Sequence, residues 1–166
     1  MLKERINADL LEAIRGEIEM NRTTLRFLNS VIINKEKEKR YLLVKANPQM
    51  AETELLAKYQ LTDEEIVDVV YSEVKKREEA IIEYLKGNRP ELANKEKKEA
   101  ELLKRYLPKQ LTENEIREIA EVAIKKSGAT SPKDMGKIMG ILAPQTRGKA
   151  DGKTVSRIVV ELLAVK

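Results

Sequence analysis

The 166-residue chain contains no cysteine, no histidine and no tryptophan. Without cysteine there is no disulfide, no thiolate metal site and no thiol nucleophile. Without histidine the commonest general base and the commonest metal ligand are missing. Aromatics are few, one phenylalanine and five tyrosines. No apolar run approaches the roughly 20 residues that span a bilayer. Glu4, Asp9 and Glu12 interrupt the N-terminal segment, which does not read as a signal peptide. Charged residues make up 36% of the chain, a helix-rich composition that leads us to expect a cytosolic all-α protein. The length allows one domain or two small ones.

Glycine is also scarce, yet five of the seven glycines fall between Gly128 and Gly152. Positive charge collects in the same stretch. Residues 127–166 carry seven basic and three acidic side chains, a difference equal to the whole formal net charge of +4. The rest of the chain is balanced. A basic, glycine-punctuated module on a neutral body permits a polyanionic partner.

Hydrophobic periodicity divides the chain into helices. Ile6, Leu10, Ala13 and Ile14 mark a first helix over 2–15, broken near Gly16. Leu25, Leu28, Val31 and Ile32 share one face of a second, over 22–39, whose charged end from Lys35 to Arg40 reads as solvated. Tyr41–Leu42–Leu43–Val44 precedes Asn47–Pro48 and reads as a small apolar plug; Pro48 argues against helix at Asn47. A further helical piece spans 49–59. Thr62–Asp63–Glu64–Glu65 is a capping box opening a helix with Ile66, Val70, Val74, Ile81 and Leu85 on its buried face. Gly87–Asn88 stops it, and Pro90 suits the first turn of the next helix, which runs to about Tyr106.

Pro108 is the expected boundary, giving a helical domain over 1–108 and a small domain over 109–166. Thr112–Glu113–Asn114–Glu115 is a second capping box. Ile116, Ile119, Ala120, Ala123 and Ile124 then form a helical stripe that Gly128 ends. A second short helix, capped by Ser131–Pro132, carries Met135, Ile138, Met139 and Leu142 and closes at Pro144. A third, capped by Asp151, carries Val155, Ile158, Val159, Leu162 and Leu163. Three such helices can bury one another's apolar faces.

The module offers one candidate site. Gly148 to Lys153 precedes a helix N-terminus, where free N–H groups favour an anion. Gly148 and Gly152 would let a phosphate approach the backbone, with Arg147, Lys149, Lys153 and Arg157 supplying charge and Lys133 and Lys137 flanking them. Lys153 and Arg157 are four apart, opposite the apolar stripe, so both should face solvent. The same residues also fit a plain interhelical turn with surface cations. No nucleotide-binding P-loop motif is present. Gly136 and Gly140, one turn apart, either admit a neighbouring helix or admit a nucleic-acid backbone; packing is the preferred reading.

Enzyme chemistry finds little support. Glu64/Glu65 and Glu78/Glu79 are adjacent on helices and point apart. We assign no catalytic residue, no metal ligand and no cofactor. All six aromatics precede the basic module, which therefore has no platform for stacking unpaired bases. An RNA bound there would be read by backbone, 2′-hydroxyls and shape.

Tyr106–Leu107–Pro108–Lys109–Gln110–Leu111–Thr112, Gly128–Ala129–Thr130–Ser131, Lys133 to Gly140 and Gly148 to Lys153 together resemble the GatB/YqeY family in order and spacing. Leu25–Arg26–Phe27–Leu28, Leu61 to Glu65, Glu73 to Arg77 and the Glu83-to-Pro90 turn are similar to YqeY proteins, so the resemblance covers nearly the whole chain. Residues 41–60 depart from the pattern as an insertion. The resemblance implies an all-α fold whose C-terminal domain is similar to the tail of GatB, a subunit of the glutamine-dependent amidotransferase acting on misacylated tRNA. In that enzyme the tail helps hold tRNA and catalysis resides elsewhere. It implies tRNA as partner, together with an aminoacyl-tRNA synthetase or amidotransferase, and an association with carbon–nitrogen ligase activity. Two alternatives stand beside this: a helical protein–protein adaptor using the Tyr41–Val44 segment, and a non-catalytic amidotransferase subunit.

Overall fold

A computed structural model describes residues 1–129 and 131–164. Thr130, within the predicted Gly128–Ser131 turn, lies outside the described residues. Among those residues the fold is all-α, with eight α-helices and no strand. By packing the chain divides into two compact units, Met1–Tyr106 and Leu107–Lys166.

The first unit comprises α1 (Leu2–Arg15), α2 (Glu19–Ala46), α3 (Glu52–Tyr59), α4 (Asp63–Lys86) and α5 (Pro90–Lys104). Ile6, Leu25, Leu28, Ile32, Ile66, Val70 and Leu103 are fully buried and form its centre. The capping box of α4 is present: Thr62 Oγ1 accepts from the Glu65 N–H at 3.2 Å, and Glu65 accepts from the Thr62 N–H at 2.8 Å. Lys39, by its hydrogen bond, and then the Thr62 N–H hold the Glu65 carboxyl below its ordinary pKa. Pro90 occupies the first turn of α5.

Several expectations for this unit need correction. Helix α2 does not end near Lys39 but continues through Tyr41–Val44 to Ala46, where Asn47 before Pro48 stops it. Tyr41 and Leu42 are 65% and 61% exposed, so this segment is no plug; Leu55 of α3 is the side chain buried there. The charged end of α2 is not wholly solvated either. Glu36 is buried and accepts from Lys3 at 2.6 Å and from the Leu61 N–H at 3.3 Å. Helix α3 begins at Glu52, not at residue 49. Leu85 is exposed because the stripe advances mostly in four-residue steps. Each such step overshoots a 3.6-residue turn, leaving Leu85 turned about 100° from Ile66. Glu73 and Arg77 are buried on α4 instead, and Arg77 bonds Glu73 and Glu99 at 3.2 Å each. Its guanidinium also lies 5.4 Å from the centre of the Phe27 ring.

The second unit comprises α6 (Glu113–Ser127), a 3₁₀ turn (Pro132–Asp134), α7 (Met135–Thr146) and α8 (Gly152–Ala164). Its core is built from Ile116, Ala120 and Ile124 of α6, Ile138 and Leu142 of α7, and Val155, Ile158 and Val159 of α8, with Met135 and Met139 packed against it. The second capping box is formed: Thr112 accepts from the Glu115 N–H at 3.3 Å and donates its own N–H to Glu115 at 2.7 Å. Gly128 ends α6 at φ 65°, a left-handed conformation that suits glycine. Pro144 does not close α7, which runs on to Thr146. The carbonyl that loses a donor there belongs to Gly140. Both Gly140 and Pro144 are exposed, so water can satisfy it.

Candidate nucleic-acid interface

The turn between α7 and α8 is tied down from both sides. The Lys149 and Ala150 N–H groups donate to the Thr146 carbonyl at 2.9 and 3.0 Å. The Leu111 N–H donates to the Lys149 carbonyl at 2.8 Å, and Gln110 Nε2 donates to the Gly148 carbonyl at 2.7 Å. Gly148 has φ 65° and is buried. Its role here is to make the turn, and its backbone does not face solvent. Gly152 is exposed, and a Cβ there would meet nothing within 4 Å.

Asp151 accepts from the Thr154 N–H at 3.2 Å. Its carboxylate therefore already stands at the α8 N-terminus that the sequence offers to a phosphate. What the turn presents outward is side-chain charge: Arg147 and Lys153 are exposed and Lys149 is partly so. Lys133 and Lys137 are exposed at the opposite end of α7, with Lys137 Nζ donating to the Ser127 carbonyl at 2.7 Å. At 1.5 Å per residue, Lys137 and Arg147 lie about 15 Å apart along the α7 axis.

Gly136 and Gly140 flank Lys137 on α7, between Lys133 and Arg147. Both are exposed, and a Cβ added at either would meet nothing within 4 Å. The packing reading fails, since among the described residues no neighbouring helix comes within 4 Å of a Cβ at either position. Their spacing alone fits the close approach of a neighbouring helix as well as that of a nucleic-acid backbone. Their missing side chains leave a smooth surface of α7 between two basic ends.

Arg157 faces solvent beside Lys153, as the spacing predicts, but it is engaged. It donates to Glu161 at 2.9 Å and to Glu113 at 2.6 Å. Those two hydrogen bonds raise its pKa, and bonds from Arg117 and Arg157 hold the Glu161 carboxyl below its ordinary range. Among the described residues, no helix is long and apolar enough to cross a membrane.

The family model described as Yqey-like protein matches residues 3–163. No curated protein matches the chain. With the family match running through both helical units, the chain belongs to the YqeY-like protein family.

Proposed function

We propose that the chain is a tRNA-binding accessory protein, related to the subunits of glutamine-dependent amidotransferases and without catalytic residues of its own. The observation that carries this reading is the outward positive charge of the second unit. Arg147, Lys149 and Lys153 flank one end of α7 and Lys133 and Lys137 the other, across a helix face bare at Gly136 and Gly140. Family membership supports it through the resemblance of this unit to the tail of GatB. The absence of aromatics from the unit supports recognition of backbone and shape rather than of unpaired bases. Basic groups about 15 Å apart along α7 suit separate backbone segments of one folded RNA. Its protein partner would be an aminoacyl-tRNA synthetase or an amidotransferase that supplies the chemistry.

A charge reversal tests the reading. Lys153→Glu is expected to weaken tRNA binding roughly tenfold near 0.1 M salt, the share of about one phosphate contact. The loss should be the same for tRNAs of different sequence. Unaltered affinity, or a loss confined to one sequence, would remove Lys153 from the interface.

A further inference from the structure

Arg157 is held by two carboxylates at once. One of its terminal nitrogens is held by Glu161 at 2.9 Å and the other by Glu113 at 2.6 Å. The second oxygen of Glu161 holds Arg117 at 2.9 Å. The chain Glu113–Arg157–Glu161–Arg117 joins α8 to α6 and carries no net charge. It borders a shallow groove of about 530 Å³ along α8, lined by Gly152, Lys153, Ser156, Arg157, Val160 and Glu161. Lys153 gives this groove one positive end. At the other end the positive charge is already matched.

We infer that Glu113 and Glu161 form an electrostatic latch that withholds Arg157 from phosphate and so weakens RNA binding along α8. The inference rests on the RNA-binding reading of this unit. Carboxylate and phosphate compete for the same planar donors of a guanidinium. A phosphate can take Arg157 only when a carboxylate leaves, and the displaced carboxylate then stands beside an anion. Both carboxylates are anchored. Glu113 lies in the first turn of α6, where the helix dipole favours negative charge, and Arg117 holds Glu161 in register. Because exposed ion pairs are weak, a polyanion can still open the latch. The arrangement sets affinity without abolishing binding.

The test is fluorescence-detected binding of bulk tRNA to the full chain at fixed salt. Glu113→Gln/Glu161→Gln should bind about fivefold more tightly than the unaltered chain, with a salt slope steeper by about one. Arg157→Gln should cost less than about twofold in the unaltered chain and should cancel most of the gain in the latch variant. Glu118→Gln/Glu121→Gln removes the same charge from exposed positions of α6. Its smaller gain should survive Arg157→Gln. Glu161→Gln alone keeps the start of α6 intact and should act in the same direction, whether or not the double variant folds. Equal gains from the two pairs, or a latch gain that survives Arg157→Gln, would overturn the latch while tRNA binding by the unaltered chain stands. Absence of salt-sensitive binding in every variant would overturn the RNA reading, and the latch with it.

Discussion

The Tyr106 hydroxyl donates to Asp9 at 2.5 Å, and the Arg5 guanidinium lies 5.2 Å from the centre of its ring. Burial first, and the Asp9 carboxylate second, raise the phenol above its ordinary value near 10. A raised pKa favours the protonated form in the folded chain. The stabilisation is therefore complete below about pH 10, where the unfolded phenol is still protonated, and is lost as pH rises towards the folded value. Tyr106→Phe should lower stability by about 1 kcal/mol at pH 8 by leaving Asp9 without its donor. The gap from the unaltered chain should narrow above about pH 10 in denaturant melts taken across pH. A gap that is constant or widens there contradicts the assignment. Nothing in the spacing of the sequence pairs Tyr106 with Asp9, or buried Glu36 with Lys3, since each contact depends on how separate helices meet.

Local signals defined most helices. Both Thr-x-x-Glu boxes could be read from four residues because the cap is made within one turn. Gly128 and Asp151 likewise act on the chain next to them. Local preference misleads where the setting is permissive. The apolar Tyr41–Val44 run looked like a plug because hydrophobicity alone does not say which face of a helix is covered. Pro144 looked like a stop, yet its place on the exposed side of α7 leaves the unmatched carbonyl to water. Gly136 and Gly140 looked like packing glycines because sequence spacing is the same for a covered and an open face. The open face yields a prediction with two opposite readouts. Gly136→Ala/Gly140→Ala should stabilise the protein by about 1 kcal/mol, since alanine favours helix and the new methyls clash with nothing. The same variant should bind tRNA several-fold more weakly, because the methyls intrude where an RNA backbone would lie. Thermal melting and titration check the two halves, and unchanged affinity in the more stable variant would remove this face from the interface.

The chain couples a body of balanced charge to a small unit that carries the positive excess. That division could be counted from the sequence, as could the absence of aromatics from the basic unit. Which cations are available could not. Arg157 meets Glu113 across 44 positions of sequence, and only folding brings them together. Gly148 similarly became a buried turn residue through Gln110, which precedes it by 38 positions. The measurement that bears most directly on the proposed function is tRNA binding by the full chain at several salt concentrations, beside a folded Arg147→Glu/Lys149→Glu/Lys153→Glu variant. Four or five phosphate contacts should give micromolar binding whose log K falls with log salt at a slope of roughly −3 to −4, lost in the variant. No binding at low salt, or equal binding by the variant, would mean that these cations are solvated surface and that the RNA reading is wrong.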